Sequence, residues 1–218
     1  MCIEDSNISV SHDAISLKSG WDNYGITFGR PTSDIHIRRV NLQSPLGAAL
    51  AFGSEMSGGI SDIHADHLRI HGSSKGIFFK TAQGRGGYIR DTVISDVQME
   101  DVNVAIAFTG SWSSHPDDHF DPAALPLINR ITLKNMTGTK ISVAGVLSGI
   151  TGDPFTGICL SNINFSLADS ANSTSWSCSN VSGYSKLVLP EPCLDLRTTP
   201  SNSSICSALP SYHAIAVA

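Results

Sequence analysis

The stretch Ile63-His64-Ala65-Asp66-His67-Leu68-Arg69-Ile70, followed by Ile77-Phe78-Phe79-Lys80, decides the fold. Its apolar side chains stand at i, i+2, i+5 and i+7, then alternate again with period 2. Alternation of this kind belongs to strands. The mainly apolar pattern recurs as Ile35, Ile37, Val40, Leu42; as Thr92, Ile94, Val97, Met99; as Ile131, Leu133, Met136; and as Ile158, Leu160, Ile163, Phe165. A weaker copy, Ile3, Ile8, Val10, opens the chain. From Ile35 onward the copies start 28, 29, 39 and 27 residues apart, and the long interval holds an insertion, Gly110 to Pro126, rich in Ser, Asp and Pro.

Each copy is followed by a second alternating run: Ile15-Ser16-Leu17-Lys18, Leu50-Ala51-Phe52-Gly53, Ile77-Phe78-Phe79-Lys80 and Ile106-Ala107-Phe108-Thr109. Gly, Ser, Asn and Asp lie between the runs, with no helical period of ten or more residues. The crossovers are therefore read as turns and short strands, which disfavours a βαβ sheet. These features predict an all-β chain wound as a right-handed parallel β-helix over residues 1–193. An irregular cap or tail, 194–218, follows where the repeat gives way to Pro and Ser. A leucine-rich horseshoe is the competing repeat, hinted at by Leu133-Lys134-Asn135 and Leu160-Ser161-Asn162, but the preceding LxxL step is missing.

The chain has 218 residues, enough for one domain with a substantial core. Lys plus Arg is 14 and Asp plus Glu is 19, giving a net charge of −5. Charged residues make up 15%, against roughly 25% in ordinary soluble chains, which excludes a charged disordered tail or long coiled coil. The acidic balance argues against nucleic-acid binding. No apolar run of about 18 residues occurs, so no membrane span is expected. Met1-Cys2-Ile3-Glu4-Asp5 shows no signal peptide.

Cys2, Cys159, Cys178, Cys193 and Cys206 lack CxxC spacing, which disfavours a zinc or dithiol site. Asn7, Asn135, Asn164, Asn172, Asn180 and Asn202 each begin an N-x-Ser/Thr sequon. Six sequons with clustered cysteines point to a secreted glycoprotein; a cytosolic chain with inert thiols is the alternative. The odd cysteine and the absent leader imply the back portion of a longer chain, a solenoid incomplete at its N-terminus. Cys178, Cys193 and Cys206 are candidates to staple the tail, in a pairing the sequence leaves open.

Alignment of the second runs puts Ser16, Lys18, Phe78 and Lys80 on one outward strip beside Asp13. Lys18 and Lys80 fall two rungs apart, roughly 10 Å. That spacing suits a linear polymer of acidic units; the same lysines also fit the solvated charges that solenoid edges require. The turn Gly84-Arg85-Gly86-Gly87 follows the strip, and Arg85 is placed to reach an anionic substrate. Neither this turn nor Gly53-Ser54-Glu55-Met56-Ser57-Gly58-Gly59 has the spacing of a phosphate-binding loop. His64 and His67 are expected on opposite faces of a strand, which disfavours a shared metal. His115, His119, Asp117, Asp118 and Asp121 read as a solvated insertion, with the three aspartates a weak calcium candidate.

Asp13-Ala14-Ile15-Ser16-Leu17-Lys18-Ser19-Gly20-Trp21-Asp22, Gly53 to Gly59, and Lys80-Thr81-Ala82-Gln83-Gly84-Arg85-Gly86-Gly87-Tyr88 resemble plant polygalacturonase-like proteins of glycoside hydrolase family 28. His115-Pro116-Asp117-Asp118, Trp176-Ser177-Cys178 and Pro190-Glu191-Pro192-Cys193 extend the resemblance over nearly the whole chain except the last roughly 20 residues. It implies the right-handed parallel β-helix and inverting hydrolysis of α-1,4-galacturonan in pectin by a secreted, monomeric cell-wall enzyme with no cofactor or metal.

Carried over residue by residue, Asp13 matches the second member of the family's Asp-Asp pair, a water-activating carboxylate. His12 stands where the family has its usual proton donor; an imidazolium also donates a proton, with different reach and charge. The family's Asn-Thr-Asp motif would lie upstream of Met1. Gly47-Ala48-Ala49 replaces its Gly-His-Gly. In its Arg-Ile-Lys motif, Lys80 matches the lysine that meets substrate carboxylate, while Phe78 takes the arginine's place. Asp13 and His12 are thus the candidate catalytic pair, and Lys80, Phe78, Lys18 and Arg85 the candidate substrate contacts. A catalytically inactive or truncated galacturonan-binding homologue, and a lyase on the same fold, are the alternatives.

Overall fold

The structure, a computed structural model, describes residues 1–112, 114–168 and 174–197. Its strands are β1 (Cys2–Ser9), β2 (Ile15–Leu17), β3 (Thr32–Gln43), β4 (Ala48–Phe52), β5 (Ile60–Lys80), β6 (Tyr88–Thr109), β7 (Leu127–Ser148), β8 (Phe155–Leu167), β9 (Thr174–Ser179) and β10 (Val181–Leu189). They form a 10-stranded parallel sheet in the order β1-β3-β5-β6-β7-β8-β10, with β2 and β4 stacked onto β5, and β9 onto β7. The sheet coils into a parallel β-helix, right-handed as crossover connections between parallel strands are. The repeat read from sequence is the stacking register: Ile35 pairs with Ile63, Ile63 with Thr92, Thr92 with Ile131, and Ile131 with Ile158.

The five-residue step from i to i+5 has a backbone cause. Arg39, His67, Asp96, Asn135 and Asn162 sit at φ 53 to 56°, the left-handed region. A residue there turns the strand, so both it and its predecessor face outward before inward alternation resumes. The same step corrects two expectations. His64 and His67 both face out, and the Asp66 carboxylate lies 2.6 Å from His36 Nε2 and 2.5 Å from His67 Nδ1. At the first rung Ile3, Ser6 and Ile8 pair with Ile37, Val40 and Leu42, while Val10 is exposed.

These corners bond along the stack: Asn135 Nδ2 donates to Asp96 Oδ1 at 3.1 Å and Asn162 Nδ2 to Asn135 Oδ1 at 3.0 Å. Arg39 holds Asp5 through two bonds of 2.6 and 2.7 Å, and that hydrogen bonding draws the Asp5 carboxyl below its usual range. Leu187, opposite the Asn162 corner and at φ 56°, breaks the chemistry of the row. It is 72% exposed, so its left-handed backbone is strained without compensating burial. Leu187→Asn is expected to stabilise the chain by about 1 kcal/mol, raising Tm by about 2–4 °C. Leu187→Ala keeps the strain and is expected to leave the melt unchanged.

Inside the coil, Ile15, Leu50, Ile77 and Ile106 form one buried column, and Leu17, Phe52, Phe79 and Phe108 another. Phe52 stacks on Phe79 at 4.4 Å, and Phe79 on Phe108 at 4.3 Å. These distances follow from rungs about 4.8 Å apart. The isoleucine column ends at Gly145, where a Cβ would run into the Trp176 ring. Glycine leaves the space that the indole fills, and Trp176 Nε1 donates to the Pro190 carbonyl at 2.9 Å.

One crossover differs from the sequence expectation. Residues Asp22–Phe28 form a helix, α1, closed by Gly29 at φ 58°. Aromatic and β-branched residues are weak helix formers, and Tyr24, Ile26 and Phe28 are exposed. The helix is held instead by its buried first residue, Asp22, and by Gly25, whose Cβ position is 2.8 Å from Ser57 Cβ. At the other end, Cys178 is disulfide-bonded to Cys193, and a 3-10 turn, Leu194–Leu196, buries Leu196. Cys206 and the rest of the expected tail lie outside the described residues.

Candidate active site

Outside the coil, β2, β4 and β5 present an open cleft of about 400 Å³ lined by His12, Asp13, Ser16, Lys18, Leu46, Gly47, Ala48, Lys75, Phe78, Lys80 and Trp112. Two of its lining residues, Ala48 and Phe78, pack with Ala51 and Ala107 in a small apolar cluster separate from the coil interior. Gly47 sits against the His12–Asp13 backbone; a Cβ there would lie 2.5 Å from Asp13 N and His12 C. This close approach lets the Asp13 carboxylate reach across the rung. Asp13 Oδ1 accepts from the Ala48 N–H at 2.9 Å, and Oδ2 from Lys80 Nζ at 2.5 Å. Lys80 is 7% exposed, with its ammonium 5.5 Å from the Phe78 centroid and 5.1 Å from that of Trp112.

The structure brings five of the six expected site residues to this cleft. Asp13, His12, Lys80, Phe78 and Lys18 all line it. His12 is exposed at the rim, its carbonyl accepting from Ser44 Oγ at 2.5 Å. Lys18 is also exposed, and its ammonium is 2.7 Å from Glu55. Phe78 is only 5% exposed. Trp112 meets its ring edge-to-face at 5.6 Å, so Phe78 walls the cleft rather than offering a free stacking face.

Arg85 is the exception. It is fully buried and cannot meet a substrate. Its Nη1 donates to Asp22 Oδ1 at 2.5 Å, its Nη2 donates to the Ser114 carbonyl, and the Trp21 ring lies 5.8 Å away. The physical reason is the docking of α1 and the insertion over this turn. His115 Nδ1 lies 2.7 Å from Asp22 Oδ2, and the His115 ring stacks on Phe120 at 3.6 Å. The insertion is therefore pinned rather than free. Gly84 and Gly86 both donate N–H groups to the Ala124 carbonyl, at 3.0 and 2.9 Å. Tyr24 donates to Asp117 at 2.6 Å, and that bond raises the phenol pKa and lowers the carboxyl's. Asp117 and Asp121 also accept backbone N–H groups of their own loop, from His119 and Ala123.

Lys75 and Trp112 are the functional candidates that sequence reading missed. Counted back from Ile77 with period 2, Lys75 falls on the inner side. The alternation resets at Gly76: Ala105 and Ile106, the corresponding stretch of β6, are both in the interior, so Lys75 and Val104 face out. Trp112 belongs to an aperiodic segment whose return is fixed by its own N–H donating to the Thr81 carbonyl at 2.9 Å.

The sequence profile of glycosyl hydrolases family 28 matches residues 1–189. A probable polygalacturonase of Vitis vinifera is 43% identical over 206 residues, covering 94% of this chain and 42% of the relative. Polygalacturonase-2 of Solanum lycopersicum is 24% identical over 184 residues, 82% of this chain and 37% of the relative. The crystal structure of a hyperthermoactive exopolygalacturonase from Thermotoga maritima shares the fold with a TM-score of 0.69 at 24% identity, over 83% of this chain and 41% of that one. The chain thus spans about two-fifths of the length of these relatives. With the matching profile running through every described strand, the chain belongs to glycosyl hydrolases family 28.

Proposed function

We propose that this chain carries the catalytic cleft of a pectin-directed glycosidase that hydrolyses α-1,4-galacturonan with inversion. One observation carries the reading: the matched carboxylate, Asp13, lies in a cleft with three lysines and an aromatic wall, where an acidic sugar polymer finds both charge and ring-sized apolar surface. Family membership and the polygalacturonase names of the relatives support the same substrate.

In this mechanism Asp13 takes a proton from the attacking water. The water's oxygen bonds to the anomeric carbon on the face opposite the leaving group. His12, protonated, gives its proton to the glycosidic oxygen as the C–O bond breaks, so the anomeric configuration inverts. Asp13 has a lone pair on each oxygen beyond those serving Ala48 and Lys80, which leaves it able to receive the water. The protein acts as a secreted, monomeric cell-wall enzyme. The Cys178–Cys193 disulfide fits an oxidising compartment, and the sequon residues Asn7, Asn135, Asn164 and Asn180 are all exposed for glycosylation.

Incubation with polygalacturonate is expected to release reducing ends whose first-formed anomer, followed by NMR, is inverted. Binding without release would favour the non-catalytic homologue. An unsaturated, ultraviolet-absorbing product would mark a lyase, and neither binding nor release would overturn the reading.

A further inference from the structure

Three ammonium groups face the cleft, but two are already neutralised. Lys18 is paired with Glu55 at 2.7 Å and Lys80 with Asp13 at 2.5 Å. Lys75 has no carboxylate within salt-bridge distance among the described residues; its ammonium instead rests 5.1 Å from the centroid of the Phe78 ring. We propose that Lys75, in addition to Lys80, is a receptor for a uronate carboxylate of the bound polymer. This rests on the galacturonan reading of the cleft and assigns an anion subsite within it.

The argument is one of charge and placement. A substrate carboxylate that went to Lys80 would have to displace or share the Asp13 bond of an ammonium that is itself nearly buried, where losing an ion partner is costly. At Lys75 it meets a cation with nothing to displace. Lys75 is rigidly presented: it lies in register between Ala48 and Val104, and its N–H donates to the Gly47 carbonyl at 3.0 Å. Gly47 is the residue pressed against the backbone of Asp13. Sugar carboxylate and reacting centre are thereby tied to the same turn. Ala48 and Val104, its neighbours along the stack, are short and apolar and offer the ammonium no counter-charge, and Lys75 is half-buried at the cleft.

Calorimetric titration of the intact chain with oligogalacturonate tests this. Lys75→Met is expected to weaken binding about tenfold or more, Lys75→Arg to retain it, and Lys140→Met, which removes an exposed corner cation, to change nothing. Raising salt is expected to weaken the unmodified chain more than Lys75→Met. Binding of a methyl-esterified oligomer, which has no carboxylate, is expected to be the same in Lys75→Met as in the unmodified chain. Equal oligogalacturonate affinity for the unmodified chain and Lys75→Met, with melting curves showing both folded, would overturn the assignment and leave the galacturonan reading standing. Failure of the unmodified chain to bind either oligomer would overturn both.

Discussion

Arg85→Met is expected to destabilise the chain by about 3–5 kcal/mol, because it takes the guanidinium away from a buried carboxylate. Asp22 is 1% exposed and its carboxylate spans Arg85 and His115. Methionine fills a similar volume, so the loss registers the missing guanidinium at the Asp22 carboxylate, which keeps only His115, rather than a cavity. Asp22→Asn added to Arg85→Met removes both charges and keeps a residue that tolerates the left-handed backbone at position 22, where φ is 44°. The double variant is therefore expected to recover much of the stability lost by the single one. Urea unfolding of the three chains checks this, and a single variant within 1 kcal/mol of the unmodified chain would refute the buried pair. The substitution also unpins α1 and the insertion that carries Trp112, so oligogalacturonate affinity is expected to fall with stability.

This residue also shows where sequence reading stops. The solenoid was legible because its determinants are local and periodic. Ile63, Ala65, Leu68 and Ile70 announce the inward face, and Ile77 and Phe79 the second column, without knowledge of any distant contact. Asp13 and Lys80 were legible as neighbours because they fall on one strip once those columns are aligned, and they line one cleft. Arg85 was misplaced because its partner lies 63 residues earlier. A glycine-rich turn carrying an arginine looks the same whether solvent or a helix covers it. α1 escaped notice because its stability comes from that tertiary ion pair and from close packing at Gly25, not from helix propensity. Lys75 was hidden by a single reset in alternation at Gly76, which shifts every side chain before it to the other face.

Asp13→Asn is expected to lower kcat on polygalacturonate by about 10²–10⁴-fold while leaving KM within a few-fold, the pattern of a lost proton acceptor rather than a lost binding contact. The substitution preserves most of the geometry. The carbonyl oxygen of the introduced amide still accepts from Ala48, and the side chain keeps its size against Gly47. It does place an amide donor against the Lys80 ammonium, a repulsion that makes a modest fall in stability part of the expected result. That effect is separated from chemistry by Lys80→Gln, which disrupts the same ion pair but leaves the carboxylate. If the ion pair matters only for structure, the two variants fall together in Tm and in kcat. If Asp13 takes the water's proton, Lys80→Gln retains far more turnover than Asp13→Asn at equal stability. A comparable kcat in both, measured well below their melting temperatures, would remove Asp13 from the reaction. The catalytic base would then have to come from outside this cleft, where among its described lining residues Asp13 is the one carboxylate.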